Sequence, residues 1–423
     1  MQAVILAAGT SSRFWPLSEE KHKSLFRIMG KPLIQWTVES LKKSGVKDII
    51  IIQSSRRDIE NELGDGLRFG VKIEYVIQKE AKGMGNAVML AEKCINGNFF
   101  VLNANHSDAE NIISLILNKQ KTSKANLVLV GRKTDIPWNY GILELKNDKV
   151  LSIVEKPKKG KEPSDILVVG IYYLPKDFFA YHQKTKDHIY SFEDAINLYA
   201  KENDVRVALT ELDIASLKYP WDLFSSTRII LSEKIKRSRI SKKSKISSKA
   251  TIKGKVIIEE GVKIFENAVI NGPCYIGKNV IIGNNSIIRD FTDLEEEVLV
   301  GANAEVARCN LQVGVHMHSG FLGDSVIGMG SKIGAGVVSA NVRIDRGEIK
   351  STVKGEKICT GQQSFGVAVG EKSFLGINVG IMPGTMIGSN CIIGPGTIVK
   401  ENIDSNMVCY TESKNIIKKN KKK

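Results

Sequence analysis

Long apolar runs, paired cysteines and collagen-like glycine are all missing from this chain. No apolar stretch of the 423 residues approaches the 18 or more that a membrane-spanning helix needs, so a membrane span is not expected. The apolar start at residues 1–8 has no basic flank and runs into Gly9-Thr10-Ser11-Ser12-Arg13, which reads as a strand and loop, not a signal peptide. The six cysteines (Cys94, Cys274, Cys309, Cys359, Cys391 and Cys409) are scattered and form no CxxC pair, which speaks against a disulfide framework and against a zinc site. Isolated cysteines of this kind are usually small buried residues of a reducing compartment, and a cytoplasmic location is expected. With 42% hydrophobic and 25% charged residues, the composition is globular, with length for two or three domains.

The net charge of +15 raises the question of nucleic acid. Its distribution argues against that partner. Residues 230–249 carry eight Lys/Arg and one Glu, and residues 411–423 carry six Lys and one Glu, so these two segments hold +12 of the +15. The rest is nearly neutral. The two basic runs read as a solvated linker and tail, the alternative being contact with a polyanion or membrane surface.

Two textures meet near residue 230. Before it, aliphatic strands at 3–8, 48–53, 72–77, 99–103, 125–130, 150–154 and 166–174 alternate with helical stretches at 31–44, 85–94, 109–119 and 191–201. This α/β order predicts a Rossmann-like mixed sheet, parallel for the most part, with ligands at the carboxyl ends of its strands. After it, an aliphatic residue recurs every sixth position from Ile252 through Ile258, Ile264, Ile270, Ile276, Ile282, Ile288, Leu294 and Val300 to Val306. The rhythm resumes at Ile327 and Ile333, and again from Val369 to Val399. A six-residue period is that of a hexapeptide-repeat parallel β-helix. Residues 343–366 break the period and read as an insertion loop leaving the wall. Residues 230–249 join the two parts, and a basic helix is one form that join could take.

The strand before residue 8 opens into Leu6-Ala7-Ala8-Gly9-Thr10-Ser11-Ser12-Arg13, followed by Lys23 and Gly30-Lys31-Pro32. A small-residue loop lets backbone N–H groups approach phosphates, and Arg13 and Lys23 can neutralise them. The whole set resembles the nucleotide-binding signature of the sugar-1-phosphate nucleotidylyltransferases. The resemblance runs on through Gln78 with Gly83-Met84-Gly85-Asn86, Tyr140-Gly141, Glu155-Lys156-Pro157, Gly170-Ile171-Tyr172 and Pro220-Trp221-Asp222. It implies that Leu6, Ala8, Gly9, Arg13, Lys23, Gln78 and Gly83 bind the nucleotide, with Arg13 and Lys23 also catalytic. It implies Gly141 and Glu155 as sugar contacts and Mg²⁺ as cofactor. This chain departs from the pattern where the family has its magnesium-binding aspartate: Asn105 is a neutral amide, a poorer ligand for a hard cation. Ser216 stands where a second metal-binding acid is usual, His22 replaces the proline before Lys23, Ser11 a glycine, and Val168 a sugar-contacting asparagine. Asp108 or Glu110 would restore metal binding from the next turn.

Within the repeats, His318-Ser319-Gly320-Phe321-Leu322-Gly323-Asp324-Ser325, Gly334-Ala335-Gly336 and Ala340-Asn341-Val342-Arg343 resemble the acetyltransferase domain of bifunctional enzymes forming UDP-N-acetylglucosamine, the archaeal-type branch above all. That fold is a left-handed parallel β-helix. The resemblance implies His318 as general base, Arg289, Asn341 and Lys350 as sugar contacts, and Ala335 at the acetyl-CoA thioester. An imidazole titrating near neutrality suits the base's task. Phe321 replaces a tyrosine, Ala307 a lysine with Arg308 beside it, Lys332 an asparagine, and Gly347 a lysine.

The expected division is a nucleotidyltransferase-like domain at 1–229, a basic linker at 230–249, a β-helix acyltransferase domain at 250–410 and a basic tail at 411–423. The expected activity is a bifunctional transferase using acetyl-CoA and a nucleoside triphosphate, UTP by resemblance, on a sugar 1-phosphate. Homotrimers are implied by the hexapeptide family. Two alternatives stay open: an acetyltransferase whose first domain only binds, and a non-catalytic subunit resembling translation-initiation guanine-exchange subunits.

Overall fold

The computed structural model describes residues 1–214 and 216–419 and divides into two compact units. The first unit comprises Met1–Ser11, Lys21–Phe26 and Lys31–Ser216; the second comprises Ser12–Glu20, Arg27–Gly30 and Leu217–Lys423. Of the basic tail at 411–423, residues 420–423 lie outside the described residues. Among the described residues, no helix is long and apolar enough to cross a membrane.

The first unit is built on a nine-stranded mixed sheet. Lys72–Ile77, Asp48–Gln53, Gln2–Ala7 and Phe99–Asn103 lie side by side and parallel. Ile166–Leu174 then runs antiparallel between Phe99–Asn103 and Leu127–Lys133. Val205–Leu209 is parallel to the latter, and the hairpin of Gly141–Lys146 and Lys149–Glu155 completes the edge. The sheet thus contains more antiparallel pairing than alternation of strands and helices alone predicts. The runs of aliphatic residues follow from cover on both faces. Ala3, Ile5 and Ala7 join one core with Ile34, Val38 and Ile112, while Val4 and Ala8 point to the other core with Val88, Phe192 and Ile196. Side chains alternate across the pleat, so adjacent residues feed opposite layers.

The second unit is a left-handed β-helix of three parallel sheets with eight, nine and eight strands. The sixth-position residues expected as its core point inward: Ile258, Ile264, Ile270, Ile276, Ile282, Ile288, Leu294, Val300 and Val306 are buried in one stack. Burying each such side chain contributes roughly 1.5–3 kcal/mol. Corners between faces need left-handed backbone, which asparagine tolerates; Asn267, Asn285 and Asn303 stack one coil apart, each amide donating to the next. The rhythm that lapses after Val306 does not end the solenoid. Leu311, Met317 and Leu322 continue the same stack, because strands here pair at shorter spacing: Val306 with Leu322, against Ile288 with Val306. Residues 343–366 leave the wall, and Ile327 pairs directly with Val369 beyond them. The excursion carries a small hairpin, Lys350–Val353 with Glu356–Cys359. The segment expected as a basic linker, 230–249, holds the end of helix Asp222–Lys234 and the strands Arg239–Ile240 and Lys245–Ile246, which pair with Val256–Ile258 and Lys263–Ile264. Solenoid strands thus begin inside it. Part of its charge is met by Glu259 and Glu260, which pair with Arg239 and Lys243.

Candidate functional site

In the first unit Ala8, Gly9 and Gln78 stand at the carboxyl ends of parallel strands. Gln2–Ala7 feeds a loop in which Ala8 is buried and Gly9 exposed, with nothing within 4 Å of where a Cβ on Gly9 would stand. That open backbone is what a phosphate needs to approach. Leu6 is half-buried. Lys23 is half-buried and opens the short helix Lys23–Leu25, whose N-cap is His22. The imidazole is buried and its pKa is pushed down to about 3, by burial first and then by Lys23 and Arg56. His22 is therefore neutral beside the lysine, accepting from the Ser24 N–H at 3.3 Å. Arg13 lies exposed on Ser12–Phe14, a segment that belongs to the second unit.

Gln78 follows Lys72–Ile77, is 5% exposed, and donates through Nε2 to the Gly83 carbonyl at 3.3 Å and to Asn86 Oδ1 at 2.8 Å. Gly83 caps helix Met84–Leu90 at φ +99°, and a Cβ there would press on the Ile189 carbonyl at 3.2 Å, so only glycine fits. Across the sheet, Gly141 pairs with Glu155 in the antiparallel ladder. A Cβ on Gly141 would strike Glu155 Oε1 and meet Val168 Cγ1 at 3.2 Å, so the glycine makes room for the carboxylate and Val168 walls the same spot. Next to Glu155 in the electrostatics is Glu193, which sequence reasoning passed over. Its Oε2 is buried without a partner, and burial chiefly, then the charges of Glu155 and Asp194, lifts its pKa to about 7.

The residues present do not fit a magnesium ion held by carboxylates. Asn105 is half-buried in the turn after Phe99–Asn103. Asp108 is buried, with Oδ1 at 3.3 Å from His106 Nδ1 and Oδ2 without a hydrogen-bond partner. Glu110 lies one turn on, 3.9 Å from Lys43. Among the described residues no three His, Cys, Asp or Glu side chains come together as a metal cluster. Amide oxygen plus one acid paired with histidine is a weak set for a hard cation.

In the second unit, His318 follows the strand His316–Met317 at a corner of the solenoid and is exposed, its backbone N–H donating to Ile333 O at 2.8 Å. The corner stacked next to it carries Gly334, Ala335 and Gly336, and Ser319 Oγ accepts from the Gly336 N–H at 3.2 Å. The base candidate and the thioester candidate thus share one corner of successive coils. Asn341 stands at the other end of the face formed by Gly320–Gly323, beside the Phe321 ring. A Cβ on Gly323 would lie 2.7 Å from both Asn341 Nδ2 and Phe321 Cζ. Arg289, exposed and on the same column of corners as Asn341, is paired with Glu305 at 3.1 Å. Lys350 starts the insertion hairpin, which folds back against the wall where Ser351 Oγ donates to the Gly384 carbonyl at 2.7 Å, and its side chain is exposed. A half-buried pair that the repeat pattern does not announce lies between Arg289 and Asn341: Arg308 forks onto Asp324 at 2.6 and 2.8 Å.

Comparison with known proteins places this geometry. The nucleotidyl transferase family model matches residues 2–221, and the bacterial transferase hexapeptide (six repeats) model matches residues 255–290 and 366–401. A bifunctional sugar-1-phosphate nucleotidylyltransferase/acetyltransferase of Sulfurisphaera tokodaii is 35% identical over 95% of this chain and 98% of its own. The proteins named bifunctional protein GlmU of Methanococcus vannielii and Methanocaldococcus jannaschii are 31% and 30% identical, each over 99% of this chain and 100% of their own. The chain belongs to the nucleotidyl transferase family, as a transferase that carries hexapeptide repeats behind its nucleotidyl transferase domain.

Proposed function

We propose that the chain performs two transfers on the way to UDP-N-acetylglucosamine. In the first, the amine of glucosamine 1-phosphate attacks the thioester carbonyl of acetyl-CoA; the C–N bond forms, the C–S bond breaks, and CoA leaves as the thiol. His318 takes the proton that the amine sheds and hands it to the departing sulfur. The observation that carries this reading is the shared corner of His318 and Ala335, tied by Ser319 Oγ and the Gly336 N–H. In the second, the sugar phosphate attacks the α-phosphorus of UTP and pyrophosphate leaves. The Ala8–Gly9 backbone, Lys23 and Arg13 hold the triphosphate, Gln78 the base, and Gly141 with Glu155 the sugar. A cytoplasmic setting and a trimer, with the 343–366 excursion reaching the next subunit, complete the proposal; light scattering that gave a monomer would contradict the trimer.

The amide at Asn105 favours a second reading for the first unit alone: a nucleotide-sugar binder with little turnover. Paired assays on the purified chain separate the readings. Thiol release from acetyl-CoA with glucosamine 1-phosphate reports one transfer, and pyrophosphate release from UTP reports the other. His318→Ala is expected to abolish thiol release and leave pyrophosphate release intact. Thiol release that survives the substitution would remove the acetyl-transfer mechanism, and nucleotide binding without pyrophosphate release would establish the binder.

A further inference from the structure

The corner that holds Asn341 carries a carboxylate with no place in the two transfers as described. Asp324 ends the Gly320–Gly323 face, is 6% exposed, and sits in left-handed backbone. Three donors converge on it: Arg308 Nε on Oδ1 at 2.6 Å, Arg308 Nη2 on Oδ2 at 2.8 Å, and Asn341 Nδ2 on Oδ2 at 2.6 Å. Its backbone is pinned too, the carbonyl accepting from the Gly366 N–H at 2.8 Å. A carboxylate held by a bidentate guanidinium only accepts. Asn341 can therefore meet it only through its NH₂, and the amide cannot turn over without setting oxygen against oxygen. The Phe321 ring, packed at the same Gly323, walls the amide on one side.

We propose that Asp324 is a positioning residue for acetyl transfer, fixing Asn341 so that its carbonyl oxygen, an acceptor, faces the amino sugar. The inference rests on the acetyl-transfer reading above. The attacking amine carries N–H donors, and an acceptor of set direction holds one of them while the lone pair points at the thioester. Arg308 contributes by holding both carboxylate oxygens of Asp324 in place. It thus does other work than the lysine expected one position earlier, whose place is taken by the buried methyl of Ala307.

The test is steady-state acetyl transfer by the full chain, with glucosamine 1-phosphate and acetyl-CoA varied separately and thermal melting recorded on the same samples. Asp324→Asn offers Asn341 either a donor or an acceptor and frees the amide to turn. A fall of about tenfold or more in kcat/KM for the amino sugar is expected, with KM for acetyl-CoA within about twofold. The double variant Asp324→Asn/Asn341→Ala should be no slower than Asn341→Ala, since the aspartate acts only through the asparagine. Losses that multiply, or an unchanged kcat/KM for the amino sugar, overturn the proposal. If Asp324→Asn does not fold, Arg308→Lys, which keeps the charge and loses the fork, carries the same expectation in weaker form, about threefold, and no change there overturns it equally. A folded wild-type protein that transfers no acetyl group would overturn the underlying reading instead, a result the variants cannot produce.

Discussion

Gln78 gives both of its amide hydrogens away inside the protein, one to the Gly83 carbonyl and one to Asn86 Oδ1. The Gly83 carbonyl cannot become a donor, so the orientation of the Gln78 amide is set, and Oε1 is what remains for a ligand. An acceptor at this point pairs with an imide N–H, as in uracil, thymine or guanine. Cytosine and adenine present a bare ring nitrogen there. Competition binding should accordingly rank UTP, dTTP or GTP above CTP and ATP. Gln78→Ala should weaken binding of the preferred triphosphate about tenfold. Equal affinity for CTP would show that Gln78 does not read the base.

The amide at Asn105 bears directly on the nucleotidyl transfer proposed for the first unit. Replacing a neutral amide by a carboxylate at the turn after Phe99–Asn103 supplies the anionic oxygen that a hard divalent ion prefers. Asn105→Asp is expected to raise Mg²⁺-dependent pyrophosphate release by about tenfold or more if the lost ligand limits the rate. An unchanged rate would place the limitation elsewhere, in the Val168 wall or the His22 turn.

Much of this could be read before any coordinates. The strands at 48–53, 99–103 and 166–174 stand where continuous aliphatic runs put them, because burial on both faces leaves no polar alternation to blur their ends, and the edge strand at 72–77 shows instead through its alternation of exposed Lys72 and Glu74 with buried Ile73. The solenoid core was equally plain in its sixfold spacing. What the pattern hid is coil length. Losing one residue before Leu311 and a second before Leu322 moves Leu311, Met317 and Leu322 off the period while leaving them in the same stack, and periodicity alone cannot tell a shortened corner from the end of a repeat. The pairing of Arg308 with Asp324 stayed hidden for that reason: they become neighbours only once the short coil brings the two corners into register. Gly141–Lys146 and Val205–Leu209 were missed because short edge and antiparallel strands carry a weak signal. Glu193 carried none, since a buried acid looks like any other first-turn acid of a helix.

His22 makes the first unit sensitive to acid. It is buried neutral with a pKa near 3, whereas an unfolded histidine titrates at 6.5. Above 6.5 neither state binds the proton and the stability is intact; as pH falls below that, the unfolded state takes up a proton that the folded state refuses. Stability then drops by roughly 1.4 kcal/mol per pH unit until the folded value is reached. His22→Asn removes the titration and keeps an oxygen for the Ser24 N–H. Denaturant melts at about pH 7 and about pH 5 should show the wild type losing roughly 2 kcal/mol more than the variant over that interval. His22→Pro suits the backbone at φ −63° but strips the N–H that donates to Asp58 at 2.7 Å, so it should destabilise at every pH.

Glu193 carries the opposite sign. Burial and the neighbouring Glu155 and Asp194 raise its pKa from 4.5 to about 7, opposed only by its own backbone N–H and by His188. Below 4.5 the carboxyl is neutral in both states and costs nothing electrostatic. Between 4.5 and about 7 the unfolded state has released its proton while the folded state still holds it, so stability falls as pH rises, by about 3 kcal/mol in all at the upper end. Glu193→Gln keeps the shape and the neutral charge at every pH. The variant should match the wild type near pH 4.5 and exceed it by up to about 3 kcal/mol at pH 8, seen as a melting temperature that no longer declines across the interval. A stabilisation of equal size at both pH values would mean that the substitution acts through packing or a new amide hydrogen bond, and that the Glu193 carboxyl is already ionised where it lies beside Glu155.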